Sequence, residues 1–126
     1  MADGKEYITK VGEDGSVNIS EDVISIIALE AMREVEGFGS ISNPLGKDVA
    51  ELFGKKSAAR GVSVQPGEEN VTIDVFVSIK YNYSVTAVSR DIQEAIRKSV
   101  EDMTGIRVKA VNVHVGGIAF DKTRQA

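Results

Sequence analysis

Few residues in this 126-residue chain have the type and spacing that chemistry needs. His114 is the single histidine, and a histidine general base requires an orienting carboxylate and a nucleophile or substrate within reach. Asp74 and Ser78 are candidates to share its sheet face, although parity places many polar residues there. A solvent-facing strand histidine is therefore the expected role. The glycine-rich stretch Gly37–Gly46 invites comparison with phosphate loops and fails it. Gly46-Lys47 is followed by Asp48, and Ile41 stands where the first glycine of a P-loop belongs. Gly37-Phe38-Gly39 follows a helical pattern and lacks a third glycine, so it is no dinucleotide fingerprint. Glu30, Glu34 and Glu36, and the pair Glu68-Glu69, lack the turn-based convergence of an oxygen-ligand metal site. No catalytic residue, metal site or cofactor is expected.

Composition narrows the field in the same direction. The absence of cysteine excludes disulfides, iron–sulfur clusters, thiolate zinc and a cysteine nucleophile. One histidine excludes a multi-histidine metal centre. Acidic side chains outnumber basic ones 19 to 15, giving a net charge of −4 that disfavours broad nucleic-acid binding and argues against DNA. Lys55, Lys56 and Arg60 form a small basic patch with Lys47, without the interleaved aromatics that stack bases. The first residues, Met1–Glu6, lack the basic and apolar runs of a secretion signal. The apolar stretch Val23–Leu29 is far shorter than the roughly 20 residues that cross a bilayer. A cytoplasmic location follows as an expectation.

The elements that would position these residues are legible. Gly15–Ile19 reads as a short strand after a turn at Glu13-Asp14-Gly15. Ser20 is a good N-cap, with Glu21 and Asp22 in a first turn that favours acids, and a helix is predicted from about 21 to 36. Its apolar residues spread beyond one face, which predicts packing on two sides or an interface between copies. Residues 37–46 read as turns, and a short helix is expected at about 47–54. Val71, Ile73, Val75, Val77 and Ile79 alternate with polar residues, the period of a half-buried strand. The loop Pro66–Asn70 joins it to a strand at 62–65 as an antiparallel hairpin. Phe76 is an unexpected aromatic on the polar face of that strand, and such a residue can mark a contact surface. Ser84 caps a second helix of about 20 residues, ending at Thr104-Gly105. In the last strand, Ile106 and Val108 oppose the parity of Val111, Val113 and Val115. A bulge near Lys109-Ala110 resolves the conflict and places Asn112 and His114 on the outer face.

The order β-α-α-β-β-α-β predicts an α+β two-layer sandwich, with a mixed β-sheet and two long helices on one face. Residues 1–14 are expected to be a partly ordered segment, 15–120 a single domain, and 121–126 a frayed tail. Phe76, Asn112 and His114 are the candidate protein-interaction residues of the outer sheet face.

Several motifs, in order, give the sequence a family likeness over about residues 15–118. They are Gly15-Ser16-Val17-Asn18-Ile19, Val35-Glu36-Gly37, Arg60-Gly61-Val62, Met103-Thr104-Gly105 and Val111-Asn112-Val113-His114-Val115-Gly116-Gly117-Ile118. With these the chain resembles the alkaline-shock proteins, the envelope stress-response proteins of Gram-positive bacteria. Asn82 departs from the glycine expected after the tyrosine. The resemblance implies a cytosolic, non-enzymatic protein that supports envelope homeostasis. It also implies a homo-oligomer peripheral to the membrane through a membrane-anchor protein partner, and a link in some relatives to control of fatty-acid synthesis. The competing expectation is a small RNA-binding α+β domain, which would rest on Lys55, Lys56 and Arg60.

Overall fold

Period-two hydrophobicity makes Asn70–Lys80 the strand on which the rest is assembled. In the computed structural model, which describes residues 7–42 and 61–120, the chain runs as follows. Strand β1 (Tyr7–Gly12) and β2 (Gly15–Ser20) lead into helix α1 (Glu21–Arg33) and β3 (Phe38–Ile41). Then come β4 (Val62–Pro66), β5 (Asn70–Lys80), helix α2 (Val85–Thr104) and β6 (Arg107–Ala119). The predicted helix at 47–54 lies outside the described residues.

Strand β5 is paired along both edges. One edge carries β4 antiparallel over Val71–Val75 and β3 antiparallel over Val77–Ile79. The other carries β6 in parallel over its whole length. Val71, Ile73, Val75, Val77 and Ile79 are all fully buried beneath the helices. Ile24, Ala28 and Met32 of α1 and Val88, Ile92, Ile96 and Val100 of α2 complete this core at helical spacing. The architecture is thus the expected α+β sandwich. Helix α2 supplies the crossover that lets β5 and β6 run parallel, a connection that needs a dozen or more residues.

Both helices start where the sequence says. The Ser20 hydroxyl accepts from the Val23 N–H and the Ser84 hydroxyl from the Ala87 N–H. Gly105 closes α2 in the left-handed conformation. Helix α1 packs against α2 and β4, while Val23 and Ile26, part of its apolar breadth, stay outside.

Two segments differ from expectation. Tyr7–Gly12, expected to be only partly ordered, is a strand paired with β2 through a two-residue turn. Ile8 anchors this ribbon in the core. Lys10 lies against Gly105, bringing a cation to the C-terminal end of α2, whose last turn contains no basic residue. The second difference is Phe38–Ile41, which forms a strand where turns were expected. Its glycine misled: a side chain at Gly39 would sit 2.7 Å from the Ala119 Cβ and 2.9 Å from the Ser78 Oγ. The residue serves close approach of backbones within the sheet.

The bulge predicted near Lys109-Ala110 is present, since Val71 and Thr72 of β5 face Val108 and Ala110 of β6. A second shift, unforeseen, skips Gly116. Gly61 opens β4 at φ +80°, and a Cβ there would land on the Ile41 side chain. Gly61→Ala should therefore cost about 2 kcal/mol or more, read as a lower urea midpoint. Asn82 is the one described non-glycine residue at positive φ, +80°. Asn82→Ala should cost about 1 kcal/mol, whereas Asn82→Gly should preserve stability. Equal midpoints for the two Asn82 variants would contradict a left-handed turn there.

Candidate functional site

The outer face of β5 carries Thr72, Asp74, Phe76 and Ser78, opposite in parity to the core valines. Register then dictates their neighbours. Ser63 of β4 stands beside Asp74 on one side and Asn112 of β6 on the other. His114 lies next to Phe76, and Ser40 of β3 next to Ser78. The first β6 bulge is what turns Asn112 and His114 to this face.

The contacts follow the register. His114 Nε2 lies 2.9 Å from Asp74 Oδ1, and the Gln65 amide donates to the other carboxylate oxygen at 3.3 Å. The Asp74 side chain is 6% exposed and that of His114 46%, so a buried carboxylate orients a half-exposed imidazole. The ring stacks on Phe76 with centroids 4.7 Å apart and planes 15° apart.

Of the three candidate interaction residues, the structure brings Phe76 and His114 into contact and leaves Asn112 exposed beside them. The expectation of a wet sheet face needs correction. Ser63, Asp74, Phe76 and Ser78 are all buried, Phe76 being 8% exposed. The reason is that β5 is a central strand, crowded on this face by side chains from neighbours along both edges. Ser78 does share the face with His114, but its hydroxyl is engaged with the Ser40 hydroxyl at 2.9 Å. The pair is therefore not poised over a hydroxyl at Ser78. The basic patch Lys55, Lys56 and Arg60, like Lys47, lies outside the described residues. Among the described residues, no group of three or more histidines, aspartates and glutamates is placed to hold a metal ion.

Gln65 and Ser63 were not singled out in the sequence. The signal was available: the hairpin loop fixes Ser63 opposite Asp74 and Gln65 opposite Thr72, which follows from counting back from the turn. Two further surface features lie away from this face. Tyr81 and Phe120 stack at 5.3 Å where β5 and β6 end. On the helical layer, Ile26 and Met103 border an open groove between α1 and α2, with Ile27, Ala31, Glu30 and Glu34 among its lining.

The motif residues have structural duties. Thr104 donates its hydroxyl proton to the Val100 carbonyl at 2.6 Å and accepts from the Ile106 N–H at 3.0 Å. It thereby joins the end of α2 to the chain entering β6. Glu101 accepts from the Val108 N–H at 2.9 Å just before the bulge. A model of the alkaline shock protein 23 family, described as having a cell envelope-related function, matches residues 9–120. The chain belongs to this family. It is 34% identical over 111 residues to the uncharacterized protein YqhY of Bacillus subtilis, covering 88% of this chain and 82% of that protein. It is 38% identical over 110 residues to the uncharacterized protein Spy1535 of Streptococcus pyogenes serotype M6, covering 86% and 83%. Among solved structures, a zinc form of a MamM CTD variant is similar at 14% identity and a TM-score of 0.47, over 81% of this chain and 91% of that one.

His114→Ala should cost about 1–2 kcal/mol, because it strips a buried carboxylate of one of its partners. Asn112→Ala should stay within about 0.5 kcal/mol, as an exposed side chain does. In a double-mutant cycle, Asp74→Ala should remove most of the His114→Ala penalty. Strict additivity in urea unfolding would show that the pair is not coupled.

Proposed function

We propose that this chain is a non-enzymatic protein-interaction or self-assembling module of the cell envelope. It works at the cytoplasmic face of the membrane, where a separate membrane-anchor protein holds it. The observation that carries this reading is the apolar rim of the α1–α2 groove. Ile26 is 53% and Met103 71% exposed, with half-exposed Val23 on the same helix as Ile26. Single exposed apolar residues are ordinary, but neighbours around one groove with glutamates among its lining have the composition of a protein contact. Two further observations support it. The family has a cell envelope-related function, and among the described residues no helix is long and apolar enough to cross a membrane. The non-enzymatic part of the reading is supported by the Asp74–His114 pair, whose polar neighbours Gln65, Ser40 and Ser78 are occupied with one another or with the aspartate.

Affinity capture of the tagged protein from crosslinked cells, followed by membrane fractionation, tests the reading. The Ile26→Glu/Met103→Glu double variant should recover at least about tenfold less of an envelope partner than wild type, since charge in a desolvated contact is costly. Equal recovery of the same partner by both proteins would sink the assignment to this groove.

A further inference from the structure

Strand β6 is paired with β5 along one edge only among the described strands. Its other edge is already capped at its beginning by α2. The Val108 N–H donates to Glu101, and the Val111 carbonyl accepts from the Gln93 amide at 2.9 Å. Because backbone groups alternate along a strand, the groups that point away from β5 are those of Val111, Val113 and Val115. The β5 side agrees: Phe76 turns its N–H and carbonyl toward Gly61 and Ser42 on the opposite edge. Its odd-numbered neighbours therefore face β6, and they bond to the even-numbered residues there. Among the described residues, no backbone group meets Val113 or Val115 on the outward side.

Between those caps and the end of the strand, the window Ala110–Val115 lacks the usual protection among the described residues. Natural sheet edges carry lysine, proline or irregularities that discourage pairing. The β4 edge has Pro66. From Ala110 to Phe120, by contrast, there is no charged residue and no proline. The two register shifts, at Lys109 and Gly116, bound a regular window at Ala110–Val115. Within it, Val111-Asn112-Val113-His114-Val115 is nearly symmetric about Val113. A second copy laid antiparallel on it would place Val113 opposite Val113 and Val111 opposite Val115. On the outer face, Asn112 of one copy would stand opposite His114 of the other, an amide beside an imidazole. The valines would continue on the core face as one stripe. The pairing supplies about six backbone hydrogen bonds, and the Val111 carbonyl keeps a second lone pair for Gln93.

We propose that two copies of this chain join edge to edge through residues 111–115 of β6, in antiparallel register centred on Val113, to make one continuous sheet. The inference rests on the self-assembling side of the reading above and gives it an interface separate from the α1–α2 groove.

The test uses the full chain and solution mass from low micromolar to near-millimolar concentration. Wild type should rise from 13.5 kDa toward twice that mass. Val113→Pro removes an outward N–H without touching the β5 ladder. It should raise the dimer dissociation constant at least about tenfold, the worth of the bonds it deletes, with an unchanged far-ultraviolet circular dichroism spectrum. In case proline disturbs the fold, register is read independently by oxidation of single cysteine variants. Asn112→Cys mixed with His114→Cys should give a disulfide-linked dimer, because residues opposite each other at a non-hydrogen-bonded position lie about 4.5 Å apart at Cα. Either variant alone should not, its own cysteines being about 8 Å apart across the diagonal. A folded Val113→Pro protein that dimerises like wild type overturns the edge while leaving groove-mediated partner capture standing. The same holds for crosslinking that is no better in the mixture than in either variant alone. A wild type that stays at 13.5 kDa throughout also overturns it, and partner capture then decides the broader reading by itself.

Discussion

The structure depends on β5 being hydrogen bonded along both edges and buried on both faces. A strand in that position has no tolerance for a shift in register. A slip by one residue would exchange Ile73 and its row of core valines with Asp74 and its polar row. On the outer face the buried aspartate and serine of β5 are tolerable only because each is matched: Asp74 with His114 and Gln65, Ser78 with Ser40. The partners come from three different strands. The cluster thus works as a check on assembly, since β3, β4 and β6 must all arrive in register before the aspartate and the serine are satisfied.

Much of this is legible in the residues, and the reasons are specific. The alternation in Val71–Ile79 marks the central strand, and Ser20 and Ser84 mark the helix starts. The parity conflict between Val108 and Val111 marks the first bulge. What escapes reading is set by tertiary contact. Phe38–Ile41 looks like turns because Gly39 signals a bend locally, whereas its smallness is used against Ala119 and Ser78. Tyr7–Gly12 has a weak pattern because only Ile8 is buried. Phe76 reads from parity as an exposed contact residue and is buried instead. Burial on the second face of a sheet follows from how many neighbours the strand has, a quantity that strand periodicity does not carry.

The candidate site is less legible than the fold for a related reason. Parity alone suffices to place Phe76, Asn112 and His114 on one face. Their division into an internal pair and an exposed neighbour requires distances. The family motifs add a second lesson. Thr104-Gly105 joins α2 to the start of β6, Gly61 opens β4, and Gly116 resets the register of β6. They mark joints of the sheet, so a sequence likeness built on them reports a shared chassis, while surface chemistry between those joints is free to differ.

The main-chain groups of Phe76 bond to both sides of one gap: its carbonyl accepts from Ser42 and its N–H donates to Gly61. The chain therefore leaves the sheet and rejoins it at a single residue of β5, with β3 and β4 aligned end to end as though they were one strand cut in two. The number of residues spent between the cut ends has no bearing on the register of either half, and closing a longer path costs little, about 0.6 kcal/mol for each doubling. Position 42/61 is thus a seam in the sheet, where β5 by itself aligns β3 with β4.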